Sequence, residues 1–385
     1  MRWHPNGSAS QEPRIGEKTI DAIEKGDLLT VLEEREDTYL VVTYTGGQGT
    51  VSKVNAARLS ESVVIYDQLI KENADEGRLY ALRAAAWWAR GEEKRALKDF
   101  DRAIRSGYTR PDVYADRGLL HILMGHHDKA LADHTMAIKL EPKNAAHHVN
   151  RAGAHMAKAS YKLAVEDYSK AIDLDEAQST SYQQRAVAWK LLGDKEEANA
   201  DFSEAIKRDP KSVPALLGRG FLWFEMDMPT KAVTDFSEVI KLAPNNVDAY
   251  NNRGFNRRLL GDDKSALSDF EQAIRLAPDC ALAHQNKAWL LASANDVEVR
   301  NGEQAVKAAT RACELQSYQD VSGLKALAAA LAEDGQFEKA VGWQEKVIEM
   351  VKFDERSFER ELADKYHNRE PFRLPEPDQV RDGSQ

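Results

Sequence analysis

Seven of the ten histidines in this 385-residue sequence lie between residues 121 and 155. In this histidine cluster, His121 and His155 are one 34-residue period apart, and His134 stands where related segments carry phenylalanine. Zinc sites use three or four such imidazoles, and a buried imidazole can also act as a pH-sensitive group. Because no acid or cysteine completes a ligand set, we predict no metal here. We expect each ring to replace a core aromatic and to form one hydrogen bond.

Arginine and aspartate also recur at fixed places over six consecutive segments. The arginines are Arg83, Arg117, Arg151, Arg185, Arg219 and Arg253. The aspartates are Asp99, Asp133, Asp167, Asp201, Asp235 and Asp269. A guanidinium presents parallel N–H donors that suit the two oxygens of a carboxylate, so we predict an ion-pair ladder.

The sequence leaves open how the ladder pairs. Arg83, with Ile65 rather than an acid in the preceding helix, favours pairing within one segment. Lys287, with Ala308 in its own second helix, favours pairing with the preceding segment. Buried ion pairs give specificity more dependably than net stability. We therefore expect the ladder to fix stacking register rather than to bind a ligand.

No group of residues in the sequence has the pattern of an enzyme site. There is no glycine-rich phosphate loop and no serine or cysteine nucleophile motif. Cys280 and Cys313 have no metal-ligand spacing and form no disulfide framework, so we expect two free thiols. These patterns predict a non-catalytic protein without a cofactor.

The elements that must position these residues follow a fixed period. Val247–Cys280 reads as one helical hairpin, with a first helix over 248–260, a Gly261-Asp262 turn and a second helix over 264–276 before Pro278. The same pattern occupies Val213–Asn246. A period of about 34 residues built from two helices is typical of a stacked repeat array.

The signature residues of this hairpin resemble those of the tetratricopeptide repeat, abbreviated TPR. They are Tyr250, Gly254, Gly261, Ala266, Phe270, Ala273 and Pro278. The resemblance covers most of the chain and implies a mainly α fold, a right-handed TPR superhelix of the α-solenoid class. The predicted array spans residues 60–354, with a lone helix at 60–73 and repeats starting at 77, 111, 145, 179, 213, 247, 281 and 321. A capping helix over 355–370 and a disordered tail over 371–385 are expected to follow.

In this family the first helices line a concave surface, and the resemblance assigns its ligand contacts to eleven residues, which we call the groove face. They are Gln183, Val187, Lys190, Leu217, Phe221, Phe224, Asn251, Phe255, Arg258, Gln285 and Trp289. Aromatic anchors flanked by amide and basic groups suit an extended or helical peptide. The family's clamp for a C-terminal carboxylate is not matched, because alanine or leucine occupies its first positions.

The segment before the array has a period of two instead. Residues 1–14 are expected to form a flexible arm, and residues 15–59 contain three short runs, LLTVLEE, TYLVVTY and GTVSKV, separated by turns. This pattern resembles a bacterial SH3-like β-barrel. Only Tyr39 and Tyr44 are available as groove aromatics, so we expect the barrel to cap or tether the array.

Charge and hydropathy narrow the remaining function classes. The formal net charge of -10 argues against nucleic acid, which needs a basic surface, and mildly favours a basic partner. No apolar run is long enough for a transmembrane segment. The opening residues lack the apolar core of a secretory signal, so a cytoplasmic location is expected, or a periplasmic or envelope location if an upstream signal has been removed.

The sequence as a whole predicts a scaffold or adaptor that captures a protein or peptide in the concave face of a TPR array. The alternative is an envelope-associated module whose SH3-like barrel binds cell-wall material or another ligand while the array recruits a partner. The sequence names neither the partner nor the oligomeric state.

Overall fold

The computed structural model describes residues 62–373 in full and, before residue 62, the backbone of seven short strands. It divides the chain into two units, Met1–Glu176 and Ala177–Gln385. Eighteen helices lie in the described residues, and the fold is mainly α.

The strands of the first unit form small antiparallel pairings. They are β1 (Arg2–Trp3), β2 (Arg14–Ile15), β3 (Lys18–Thr19), β4 (Thr30–Glu34), β5 (Thr38–Val42), β6 (Gln48–Ser52) and β7 (Ala56–Ala57). Strands β4, β5 and β6 form a three-stranded sheet, β1 pairs with β7, and β2 pairs with β3. The segments that join these strands lie outside the described residues, so the SH3-like barrel stays a prediction. The flexible arm over residues 1–14 lies largely outside them too.

The helices of the first unit begin with a lone helix and continue as hairpins. They are α1 (Ser62–Glu72), α2 (Gly77–Trp88), α3 (Glu93–Arg105), α4 (Pro111–Leu123), α5 (His127–Leu140), α6 (Ala145–Ala157) and α7 (Tyr161–Leu174). Each odd-numbered helix from α3 onward packs antiparallel to the helix before it. The first helix of one hairpin also contacts the first helix of the next, as α4 contacts α6.

The second unit continues the same hairpin pattern and ends in one further helix. Its helices are α8 (Ser179–Leu192), α9 (Lys195–Arg208), α10 (Val213–Glu225), α11 (Pro229–Leu242), α12 (Val247–Leu259), α13 (Asp263–Leu276), α14 (Ala281–Ser293), α15 (Gly302–Leu315), α16 (Val321–Glu333), α17 (Phe337–Met350) and α18 (Arg356–His367). Within each unit, hairpins stack side by side as in an α-solenoid.

Local sequence explains where the hairpins start and turn. Several first helices begin after a capping side chain, such as Asn246, whose Oδ1 accepts a hydrogen bond from the Ala249 N–H at 2.8 Å. The turn inside most of the hairpins uses a residue in the left-handed region, as at Gly193 (φ 91°) and Gly261 (φ 78°). Ala159 (φ 55°) and Asp227 (φ 57°) adopt the same conformation without being glycine.

The core lies where the two helices of a hairpin cross at small residues. The crossing positions of the first helices are Ala84, Gly118, Ala152, Ala186, Gly220, Gly254, Ala288 and Ala328. At Gly254, an added Cβ would lie 2.9 Å from Cε1 of Phe270, a side chain that is fully buried. Small side chains therefore allow the close approach, and the ring fills the space beside it.

Two segments of the second unit pack against its hairpins. The loop of residues 294–301 folds back, and Ala294 and Val299 are buried beside Phe270. At the start of the tail that is predicted to be disordered from residue 371, Phe372 packs against the last hairpins. The rest of that tail lies outside the described residues. Among the described helices, none combines the length and apolar character needed to cross a membrane.

Candidate functional site

The ion-pair ladder has the same geometry in all six hairpins. In each, Nε and Nη2 of the arginine donate to the two carboxylate oxygens of the aspartate sixteen residues later. In the hairpin of α10 and α11, for example, Arg219 lies 2.9 and 2.8 Å from Asp235. The aspartates are almost fully buried, with Asp235 at 4% exposure, and the arginines are partly buried. The ladder therefore ties the two helices of each hairpin together.

In the hairpins of Arg117, Arg151, Arg219 and Arg253, Nη1 of the arginine reaches the second helix of the preceding hairpin. Arg117 Nη1 lies 2.8 Å from Asp101, and Arg219 Nη1 donates to Ser203 at 3.1 Å. Each ladder arginine therefore pairs with the aspartate of its own hairpin, and its contact with the preceding helix is made to a different residue. Arg83 also has an acid in the preceding helix, because Asp67 rather than Ile65 lies 2.7 Å from its Nη1. Lys287 pairs with Glu271 of the preceding helix at 2.8 Å.

The histidine cluster surrounds the ladder of the first unit. His148 Nδ1 and His155 Nε2 lie 3.5 and 3.8 Å from Asp167, while His121 Nε2 lies 4.0 Å from Asp133. Their distances are too long for firm hydrogen bonds. The described residues contain no group of three or more histidine, cysteine or acidic side chains arranged to hold a metal ion.

His134 is the most deeply buried ring of the cluster. It is fully buried on α5, and its Cε1 would lie 2.6 Å from a Cβ placed on Gly118 of α4. Neither ring nitrogen has a hydrogen-bond partner within the described residues. The expectation of one hydrogen bond per ring is therefore wrong for His134. Burial, followed by the nearby positive charge of His147 and Arg151, lowers the pKa of His134 to about 4.

The structure places the groove face on four consecutive first helices, α8, α10, α12 and α14, all in the second unit. Phe224 is exposed, and nine of the eleven residues are partly buried. Asn251 differs, since it is 3% exposed and its Oδ1 accepts a hydrogen bond from Asn286 at 2.9 Å. Asn251 therefore contributes a buried hydrogen bond between α12 and α14 rather than an exposed polar group.

Contacts link the side chains of the groove face from helix to helix. Lys190 Nζ lies 2.7 Å from Glu225, which joins α8 to α10. The rings of Phe224 and Phe255 meet edge to face with centroids 5.4 Å apart, which joins α10 to α12. Phe221 packs edge-on against Phe236 in the core at 5.4 Å. Phe221 therefore packs toward the core beneath the groove face, and the Phe224 ring is more exposed to solvent than the Phe221 ring.

A cavity of about 190 Å³ opens between α12, α14 and α16 at one end of the groove face. Its lining comprises Phe255, Arg258, Gln285, Asn286, Trp289, Ser322, Lys325 and Ala326. Pockets for drug-sized ligands are larger, about 300–1,000 Å³. The cavity has room for a single side chain of a ligand, framed by two aromatic rings and several polar groups.

The described residues that line this cavity include Arg258 but no acidic side chain. The Arg258 guanidinium carbon lies 4.7 Å from the centre of the Phe255 ring, in cation–π contact. Burial lowers the pKa of Arg258, and the more distant Asp263 only partly offsets this. Lys325, in contrast, pairs with the buried Glu359 at 2.6 Å.

Comparison with known proteins agrees with the repeat geometry. Models of the tetratricopeptide repeat match residues 180–212, 214–246 and 247–280. These are three consecutive hairpins of the second unit, and they carry most of the groove face. The chain contains tetratricopeptide repeats. No curated protein matches the sequence.

Solved structures with this repeat fold share little sequence with the chain. The C-terminal part of a TPR repeat-containing protein from Cytophaga hutchinsonii is 19% identical, with a TM-score of 0.53, covering 63% of this chain and 98% of that one. A tetratricopeptide repeat protein from Parabacteroides merdae is 18% identical, with a TM-score of 0.48, covering 69% and 98%. YrrB, described as a TPR protein with an unusual peptide-binding site, is 21% identical, with a TM-score of 0.41, covering 48% and 95%. The first of these supports a TPR-like solenoid fold.

Several residues around the cavity were not identified as site residues from the sequence. Asn286 of α14 lines the cavity together with Ser322 and Lys325 of α16, because α16 lies beside α14. Phe372 follows the last helix yet lies against Trp289, with ring centroids 5.6 Å apart. A repeat alignment compares equivalent positions, so it does not detect a contact made by a segment outside the repeats.

Proposed function

We propose that this protein is a non-catalytic scaffold or adaptor whose groove face binds a peptide or an extended segment of a partner protein. The single observation that carries the proposal is a row of aromatic rings on successive first helices beside the cavity at Arg258. The row consists of the exposed Phe224 and the partly buried Phe255 and Trp289. Phe224 is 40% exposed although it is a large apolar side chain. Aromatic anchors of this kind supply most of the energy in peptide recognition.

The polar groups around these rings support a peptide rather than a small apolar ligand. Gln285 and Asn286 carry amide groups that both donate and accept hydrogen bonds, as a peptide backbone requires. The cavity takes one side chain, and the row of rings extends beyond it. An extended or helical peptide crossing several first helices fits this arrangement better than a compact ligand.

Peptide binding by the full chain tests the proposal. Peptides are selected from a random display library on the immobilised protein, and the tightest one is synthesised with a fluorophore for anisotropy titration. The groove variant combines Phe224→Ala, Phe255→Ala and Trp289→Ala. We expect it to weaken binding at least tenfold, because each change removes an aromatic anchor.

The control variant removes large apolar side chains that are exposed elsewhere in the second unit. It combines Leu282→Ala, Phe353→Ala and Phe358→Ala, whose exposures are 51%, 85% and 55%. We expect it to bind like the wild type. Circular dichroism melts establish that both variants are folded, and the single change Phe224→Ala replaces the groove variant if it unfolds. Equal affinities of groove and control variants would disprove the proposed surface.

A further inference from the structure

A short segment after α18, which we call the strap (residues 368–373), returns to the helices that carry the cavity. The Phe372 ring lies beside the indole of Trp289, tilted by 44° with centroids 5.6 Å apart. Arg373 Nη1 lies 2.7 Å from Oε2 of Glu333, the last residue of α16. The same nitrogen donates to the carbonyl of Ala292 at 3.3 Å. Two consecutive strap residues therefore fill one subsite.

The subsite has the features of a binding site for an aromatic residue followed by a basic one. Trp289 belongs to the groove face and also lines the cavity, so the strap touches the proposed binding surface directly. Glu333 is 13% exposed as a side chain and pairs with Arg300 at 3.4 Å as well as with Arg373. The Ala292 carbonyl, near the end of α14, is a further acceptor for a cation.

We propose that Trp289, the Ala292 carbonyl and Glu333 form a subsite for an aromatic–basic residue pair, and that Phe372 and Arg373 occupy it as an internal ligand. This inference rests on the proposed peptide-binding function and names its ligand class: a peptide with an aromatic side chain followed by arginine or lysine. The net charge of -10 favours the approach of such a basic ligand.

The internal ligand lowers the apparent affinity for an external one. The strap is tethered directly to α18, and a short tether keeps its residues at an effective concentration of roughly millimolar. An external peptide reaches the subsite only in the fraction of molecules whose strap has left it. Release of the strap therefore raises the apparent affinity for any peptide that uses Trp289.

The test uses the full chain with the strap intact or released. The released variant is Phe372→Ala with Arg373→Ala. The probe is a fluorophore-labelled synthetic peptide of residues 368–376, NREPFRLPE, and the control peptide has alanine in place of its phenylalanine and arginine. We expect the released variant to bind the probe at least tenfold more tightly than the wild type, and to bind the control peptide at least tenfold more weakly than the probe.

Two further changes in the released variant locate the probe. Trp289→Ala removes the aromatic contact and Glu333→Gln removes the charge, and we expect each to weaken probe binding at least fivefold. A melt by circular dichroism checks folding. Arg373→Glu, at a side chain with 37% exposure, reverses the ion pair with less loss of apolar packing. It serves as the released variant if the double change unfolds the protein.

The possible outcomes separate this inference from the proposed function. Equal probe affinity in wild type and released variant, or no probe binding by either, would mean that the strap only covers the end of the array. If the library-selected peptide still binds the groove face in that case, the proposed function stands and the aromatic–basic subsite is wrong. If that peptide also fails to depend on the groove face, both are wrong.

Discussion

At the scale of single residues, His134 shows how the core of one hairpin departs from its neighbours. Equivalent places in other hairpins hold phenylalanine, such as Phe236 and Phe270, each fully buried over a glycine. His134 has the same burial but adds two ring nitrogens without partners among the described residues. A buried polar group without a hydrogen bond costs free energy, and a buried charge costs more. The ring therefore stays neutral in the folded protein.

His134 makes folding pH-dependent. Its pKa is about 4 in the folded protein, against about 6.5 for an ordinary histidine in the unfolded chain. The unfolded chain binds more protons between these values, so the free energy of unfolding falls as pH is lowered from about 6.5 to about 4. The full loss from this group is roughly 3 kcal/mol. We expect His134→Phe to flatten the pH dependence, measured by urea unfolding between pH 7 and pH 4.5.

His367→Phe is the matched control for that change, since His367 is exposed at the end of α18. It should leave the slope of stability against pH unchanged. If His134→Phe kept the wild-type slope, the neutral buried imidazole would not be its source.

At the scale of elements, the ladder connects helices both within and between hairpins. A ladder arginine such as Arg219 contacts the buried aspartate in the second helix of the same hairpin. Its Nη1 also contacts the second helix of the preceding hairpin. In the α10–α11 hairpin, Arg219 thereby links α10, α11 and α9. Three helices meet at one side chain, so we propose that the ladder fixes the stacking register. The net contribution of such a pair to stability is small compared with the cost of breaking it.

We expect Arg219→Met to destabilise the protein by about 3–5 kcal/mol, because it leaves Asp235 buried without its cation. Adding Asp235→Leu should recover most of that loss, since an apolar pair replaces the lone charge. Arg253→Met is a matched comparison, because Asp269 keeps a second arginine, Arg257 Nη1, at 2.7 Å. Arg253→Met should therefore lower the free energy of unfolding by less than Arg219→Met does. Chemical denaturation gives all three values, and equal costs for Arg219→Met and Arg253→Met would contradict this account.

The turns inside the hairpins give a second test at this scale. Ala159 has φ 55° where other hairpins place glycine, for example Gly125 with φ 74°. A non-glycine residue in this region costs about 1–2 kcal/mol, partly offset by the greater freedom of glycine in the unfolded chain. We expect Ala159→Gly to stabilise the protein by about 0.5–1 kcal/mol and Gly125→Ala to destabilise it. Thermal unfolding measures the direction of both changes in stability. A loss of stability in Ala159→Gly would show that the left-handed conformation of Ala159 is not strained.

At the scale of the whole molecule, repetition explains what the sequence could predict. The 34-residue period locates the hairpins, because glycine, alanine and phenylalanine recur wherever helices cross. The same period identifies Phe224, Phe255 and Trp289 as residues of one surface. It does not reveal Asn286 beside Asn251 or Phe372 on Trp289. These two contacts depend on how the helices and the strap pack in three dimensions.

We propose that the first helices of the second unit bind a peptide. Hydrogen exchange of the full chain, with and without a saturating library-selected peptide, tests it most directly. Ordering of a bound interface slows local opening, so protection should rise in α10, α12 and α14. The second helices α9, α11 and α13 should change little. Protection confined to those second helices, or to the strand segments 30–34, 38–42 and 48–52, would contradict the account and place the binding surface elsewhere.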